Sequence, residues 1–256
     1  MISSPLNIEL TNDGRILRLA LARPKANIVD AEMIATLHTA LSDHKDQSDL
    51  VAVLITAEGH NFSFGASVEE HLPDQRDAML KALHGLILDV VDYPVPILVA
   101  VRGFCLGGGM EVACAGNLMF VAPDVQFGQP EIQLAVFAPV ASCLLPEKIG
   151  QAQAEDLLFS GRSIDAEEAL RLGLVNAIHD DPEQAAVDYI EKQLLPQSTS
   201  TLRHAVWAAR VNFVERVREK IVRVEKCYLE DLMSGNDPQE GLQFFLEKRK
   251  PEWKNS

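Results

Sequence analysis

Cysteine is scarce: the 256 residues carry four, Cys105, Cys114, Cys143 and Cys227, far apart and without Cys-x-x-Cys spacing. The N-terminus does not read as a secretory signal. Together these features argue against a disulfide framework and predict a protein of the reducing cytoplasm. Long apolar runs are missing as well. Charges or prolines interrupt every candidate, including Val95 to Val101, short of the roughly 18 to 20 residues a membrane span requires, so no membrane role is expected. Positive charge is in deficit. The 23 Lys and Arg stand against 37 Asp and Glu, a formal net charge of -14, which repels polyanions in bulk and argues against a nucleic-acid partner. Neither a Gly-x-Gly-x-x-Gly loop nor a glycine followed by Lys-Ser or Lys-Thr is present, and no His or Cys spacing suits a metal.

What is present suffices for a large core, since 47% of the residues are hydrophobic. Short β-rich runs at Ile16 to Leu21, Val51 to Thr56, Ile97 to Val101 and Leu118 to Val121 alternate with helical stretches, an α/β rhythm. Asp30 reads as the cap of a first helix carrying Met33, Ile34, Leu37 and Leu41 at spacings of three and four. A second helix is predicted over Asp74 to Val91. Beyond Gly150 strands nearly vanish: Asp165 to Glu168 reads as a capping box, Gly173 as a helix C′ glycine, and Leu174 to Ile178 as a brief strand. Pro196 and the Ser/Thr run after it look like a junction, followed by helices over Leu202 to Leu232 and Pro238 to Lys250. The predicted division is a core over 1–195 and a helical region over 196–256.

The chemistry concentrates in Arg102-Gly-Phe-Cys-Leu-Gly-Gly-Gly-Met-Glu111, which follows the apolar strand at Ile97 to Val101 and reads as a glycine turn and a helix start. Consecutive glycines let a ligand approach the main chain, and a helix N-terminus offers it a free N–H. Asn61-Phe-Ser-Phe-Gly-Ala-Ser67 offers a second such amide, and two donors make an oxyanion hole. Glu111 follows the glycines, and Glu131 ends Phe127-Gly-Gln-Pro-Glu131. Two carboxyls of different pKa can share the acid and base work of adding water to an activated double bond. Each feature has a plainer reading by itself: a tight turn, an acid in a first helical turn, a solvated loop residue. Cys105 and Cys143 read as core thiols, and Tyr228 and Trp207 as packing or interface residues.

The order of these motifs, Phe-x-x-Gly-Ala, then Gly-Gly-Gly-x-Glu, then Phe-Gly-Gln-Pro-Glu, resembles the enoyl-CoA hydratase/isomerase (crotonase) family. The likeness runs from Ala22 to Asn27 through Ala169 to Val175 and on to Glu240 to Lys250. It implies a spiral of ββα turns with a helical C-terminal trimerisation region, an acyl-CoA substrate, a homotrimer or dimer of trimers, and no cofactor, coenzyme A being part of the substrate. Carried over, the backbone N–H groups of Ala66 and Gly108 form the oxyanion hole, and Glu111 and Glu131 are the hydratase carboxylates. Arg23, Lys25, Ala26 and Lys248 fall to coenzyme A. Phe64, Ser67, Val136 and Pro139 fall to the acyl pocket.

Three departures from the family pattern bear on the substrate: Phe64 and Ser67 around Gly-Ala, and Pro139-Val-Ala-Ser142 in place of Gly-Ala-Gly-Gly. They resemble the members that hydrate cyclic dienoyl thioesters in anaerobic aromatic breakdown. A short-chain enoyl-CoA hydratase, an enoyl-CoA isomerase, and a non-catalytic or RNA-binding member of the fold stay open as alternatives.

Overall fold

A computed structural model describes residues 4–23 and 25–256. Among them, strands β1 (Leu6–Thr11), β2 (Ile16–Leu21), β3 (Ala52–Ala57), β4 (Ile97–Val101), β6 (Leu118–Val121) and β9 (Ala177–Ile178) form one sheet in the order β1-β2-β3-β4-β6-β9. Only the β1–β2 pair is antiparallel. A smaller sheet holds β5 (Phe104–Leu106), β7 (Gln126–Gly128) and β8 (Ser163–Asp165). β4 is buried at all five positions, and β3 at all but its last. That is why both read as unbroken apolar runs: a parallel strand covered on both faces has no polar side.

The two sheets are strung together by a repeating turn of the chain. β3 leads to a bridge segment at 63–66 and then helix α2 (Arg76–Val91); β4 leads to β5 and α3 (Gly107–Ala115); β6 leads to β7 and, after a short 3-10 turn at Pro130–Leu134, α4 (Pro139–Ile149). Each turn thus adds one strand to the larger sheet and a strand or a bridge beside the smaller one before its helix, a ββα spiral. Register stacks the turns. Ser63 bridges Cys105, and Cys105 pairs with Phe127, so three residues further on Ala66, Gly108 and Pro130 arrive at matching points of successive turns. The spiral therefore gathers segments 66, 108 and 131 that lie far apart in sequence.

The N-cap aspartates act as their chemistry requires, while the predicted box at Asp165 is only half made, since the Glu168 carboxylate accepts from Arg162 and Arg171 instead of from the Asp165 amide. Asp30 accepts from Met33 N–H at 2.9 Å at the start of α1 (Ala31–His44), and Asp165 accepts from Glu168 N–H at 2.8 Å at the start of α6 (Ala166–Leu172). Gly173 closes α6 in the left-handed region at φ +78°. Several boundaries differ from those predicted. α2 opens at Arg76 rather than Asp74, because Leu72 O accepts from both Gln75 and Arg76 N–H and turns the chain there. The strand after Gly173 shortens to Ala177–Ile178, where its pairing with β6 begins.

At the predicted junction, Ser198 is itself a helix cap, accepting from Thr201 N–H, and α8 starts at Thr199. It runs to Lys226 and gives way to a π-turn at Cys227–Asp231, so the predicted single helix to Leu232 is interrupted. α9 spans Asn236–Glu247, with Lys248 as its C-cap. The residues after 195 are helical but not separate. α8 packs on α2 and α4 and buries Val214, Val217 and Ile221 in the main core. α5 (Gln151–Ser160) and α7 (Pro182–Tyr189) complete the α-helices of the described residues. None of these helices is long and apolar enough to cross a membrane.

Candidate active site

α3 is buried along its whole length, and Glu111 is its one charged residue, only 3% exposed. A helix apolar on all sides belongs inside a domain, and a carboxylate on it needs partners. One comes from α4. That helix begins Ala138-Pro139, where alanine has no capping side chain and proline no N–H, and the Ala141 amide donates to Glu111 Oε1 at 2.8 Å. Glu111 thus caps α4 from another helix. Burial nevertheless dominates and pushes its carboxyl up to about 7, against the opposing pull of the Ala141 and Val140 amides.

Glu131 lies in the 3-10 turn Pro130–Leu134 and turns its carboxyl inward against Gly107. A Cβ on Gly107 would stand 2.7 Å from Glu131 Oε1, and Gly107 itself sits at φ +47°, so this glycine is required both by backbone conformation and by contact. Buried Gln129 lies against this carboxyl, its Nε2 donating to Gly107 O at 3.4 Å and its amide oxygen facing Glu131, where a protonated carboxyl has an acceptor. Desolvation, and next the charge of Glu111, push the Glu131 carboxyl up to about 8. Two coupled carboxyls raised in this way hold about one proton between them near neutrality. One is then an acid and the other a base.

Ala66 and Gly108 stand side by side above this pair. A Cβ on Gly108 would lie 3.1 Å from Ala66 N and 3.0 Å from Ala66 Cβ, so a side chain there would separate the two amides. Gly108 is the second residue of α3, where an N–H has no intrahelical acceptor, and Ala66 N–H finds no acceptor among the described residues. Gly65, at φ +110°, turns the chain so that this amide is presented. Two free, convergent N–H groups at a helix N-terminus suit an oxygen that gains negative charge.

The other predicted residues divide between two places. Arg23, Lys25 and Ala26 form a loop held by Asn27, which is fully buried; its Oδ1 accepts from Arg23 N–H, and its Nδ2 donates to Glu58 O and Asn61 O. Pro24 of that segment lies outside the described residues. The Arg23 guanidinium is engaged by Asp30 and Glu32, while Lys25 is exposed. Phe64 meets this loop through its backbone: its N–H donates to Ala26 O, and its ring, 41% exposed, tilts against Phe104. Ser67 spends its hydroxyl on Glu69 and on the Glu70 amide in the next turn. Val136 and Pro139 are buried, Val136 in an apolar cluster with Leu80, Tyr228, Met233 and Leu242, and Pro139 in the first turn of the helix that holds Glu111. Lys248 ends α9, which packs on the Glu131 turn so closely that a Cβ on Gly241 would fall 1.8 Å from Leu134 O.

Ala141, Gln129, Asn27 and Tyr228 escape a reading by residue type. Their signal is positional: Gln129 lies inside Phe-Gly-Gln-Pro-Glu, Asn27 ends the Ala22 to Asn27 stretch and Ala141 lies in Pro139-Val-Ala-Ser142, while Tyr228 lies in no motif. The thiols take no part: burial pushes Cys105 well up and Cys114 and Cys143 to about 12, which keeps them protonated. A cavity of about 520 Å³ between α4 and α8, lined by Cys143, Arg216, Lys220 and Cys227, contains neither glutamate.

Comparison with known proteins agrees with this geometry. Residues 11–256 match the family model described as enoyl-CoA hydratase/isomerase. The chain is 59% identical to the Thauera aromatica protein called cyclohexa-1,5-dienecarbonyl-CoA hydratase, over 99% of this chain and 98% of that one. It is 31% identical to a probable enoyl-CoA hydratase of Bacillus subtilis, over 96% and 98%. Among solved structures, an enoyl-CoA hydratase/isomerase from Pseudoalteromonas atlantica superposes with a TM-score of 0.84 at 28% identity, covering 97% of this chain and 99% of that chain. A Mycobacterium avium enoyl-CoA hydratase at 21% identity, covering 97% and 98%, shares the fold with a TM-score of 0.85.

Proposed function

This chain belongs to the enoyl-CoA hydratase/isomerase family, and from that premise we propose that it hydrates cyclohexa-1,5-diene-1-carbonyl-CoA to 6-hydroxycyclohex-1-ene-1-carbonyl-CoA. The observation that carries the substrate is the 59% identity along nearly the full length to the Thauera protein of that name. The raised carboxyl pair beneath two free amides supports the reaction type.

In this reading the thioester oxygen receives hydrogen bonds from Ala66 and Gly108 N–H. Glu111, ionised, takes a proton from water as the water oxygen bonds to the ring carbon β to the thioester. The electron pair displaced from that double bond spreads through the ring into the thioester oxygen, where the two amides stabilise it. Glu131, protonated, delivers its proton to the far terminus of the diene, and the remaining double bond returns to conjugation with the thioester. The proton taken by Glu111 equals the proton given by Glu131, so the pair is reset by one proton transfer between carboxyls or through solvent.

Arg23, Lys25, Ala26 and Lys248 are proposed to bind the coenzyme A portion, and Val136 and Pro139 to wall the ring. The enzyme is proposed to work in the cytoplasm as a trimer or dimer of trimers, built through its C-terminal helices, without metal or added cofactor. The test offers purified protein the cyclic dienoyl-CoA, crotonyl-CoA and a 3-enoyl-CoA side by side, with products identified by mass and ultraviolet absorbance. Preferred hydration of the cyclic thioester is expected, unaffected by chelator. Glu111→Gln and Glu131→Gln are expected to lose turnover while keeping thioester affinity, and an active Glu131→Gln protein overturns the assignment of roles. Light scattering on the eluted protein reads the assembly.

A further inference from the structure

Tyr228 is 2% exposed, and its hydroxyl has no hydrogen-bond partner among the described residues. It lies on the π-turn Cys227–Asp231 that interrupts the end of α8. Such local unwinding re-aims a side chain and recurs at functional sites. Its ring meets Phe137 edge-on at 5.3 Å between centroids and packs in the apolar cluster with Val136, the residue expected to wall the acyl group. This cluster backs the Glu131 turn, with Leu134 packed against it. The phenol is close enough to Glu131 and Glu111 for their charge, after burial itself, to raise its pKa well above the usual tyrosine value. It is therefore a permanent donor, not a base.

A phenylalanine would fill the same space without an orphaned polar atom, and buried polar groups ordinarily have partners. A group that arrives with the substrate is one such partner. A cyclic diene brings no polar atom on its ring, but the reaction adds one oxygen there, between the two carboxyls. We propose that the Tyr228 hydroxyl donates a hydrogen bond to this oxygen, water before the addition and the ring hydroxyl after it. The inference rests on the proposed hydration and makes Tyr228 a further substrate-contacting residue of that reaction.

The test is Tyr228→Phe in the full chain, titrated calorimetrically with two thioesters: the hydroxylated product, 6-hydroxycyclohex-1-ene-1-carbonyl-CoA, and cyclohexanecarbonyl-CoA, which has a ring but no hydroxyl. Loss of one hydrogen bond predicts an affinity for the hydroxylated thioester lowered by about 3- to 10-fold. Affinity for cyclohexanecarbonyl-CoA should stay within about twofold, hydration should slow by at least the same factor as the first loss, and the melting temperature should equal or exceed the wild type's. Equal weakening toward both thioesters would assign Tyr228 to packing and overturn the inference, as would no weakening toward either. A wild type that binds both thioesters yet fails to hydrate the cyclic diene overturns the proposed function alone, and the two-thioester comparison still decides the hydroxyl's part. A wild type that binds neither overturns both.

Discussion

Replacing Gly107 with alanine probes the contact between the glycine turn and Glu131. The residue sits at φ +47°, and the added methyl would stand 2.7 Å from Glu131 Oε1. The backbone part of the cost is the left-handed conformation, about 1 to 2 kcal/mol for a residue with a Cβ. The contact part follows from distance: carbon and oxygen settle at about 3.3 to 3.6 Å, so the carboxylate must retreat by about 0.6 to 0.9 Å. A misplacement near 1 Å at a reacting group costs up to about 10²-fold in rate. Gly14 supplies the control, since it has φ +82° and nothing within 4 Å of its would-be Cβ. Both Gly107→Ala and Gly14→Ala should therefore lower the melting temperature by a similar few degrees, roughly 2 to 4 °C per kcal/mol at this chain length. Only Gly107→Ala should lower kcat, by about 10- to 100-fold, with thioester affinity nearly unchanged. Thermal melts and steady-state hydration kinetics on the three proteins measure both effects. A Gly107→Ala enzyme with wild-type kcat would refute the placement of the Glu131 carboxyl against the glycine turn.

The carboxyl pair should give a bell-shaped pH dependence of kcat/KM, falling on the acid side as the pair takes a second proton near 7 and on the alkaline side as it loses its last near 8. The same shift carries a stability signature. A carboxyl whose folded pKa is raised favours the fold fully below its unfolded pKa and loses that contribution as pH rises through the folded value, so Glu131→Gln should gain on the wild type between about pH 5 and pH 8 in denaturant titrations. Asn27→Ala removes three part-buried hydrogen bonds of a buried side chain, which predicts a stability loss of about 2 to 4 kcal/mol, and it loosens the Arg23–Ala26 loop, which predicts a raised KM for the thioester. Gly241→Ala puts a methyl 1.8 Å from Leu134 O and should lift α9 from the Glu131 turn, read as faster proteolysis of the C-terminal segment together with a lower kcat.

The sequence by itself determined whatever depends on neighbours along the chain. Asp30 and Asp165 cap helices because an acceptor three residues before an amide is a local arrangement, and β4 reads as a strand because burial on both faces leaves it no polar residue. The motif order around Gly65-Ala66, Gly107 to Glu111 and Gln129-Pro130-Glu131 identified the family, for the same reason: each motif is a short local turn that one family repeats in one order. The short strands β5 and β7 were not legible, since three-residue strands carry too little alternation to be read. Tertiary structure alone decided how those turns meet. The register Ser63, Cys105, Phe127 brings Ala66, Gly108 and Glu131 together across three turns of the spiral, and neither spacing nor residue type encodes that pairing. It also decided the environments. Glu111 reads in sequence as an ordinary acid in a first helical turn, and its raised pKa comes from burial within α3, which outweighs the opposing pull of the amides in the first turn of α4. Tyr228 reads as a packing residue, and only the fold leaves its hydroxyl buried without a partner among the described residues, in the cluster that backs the Glu131 turn, because burial is a property of the assembled core and not of the chain.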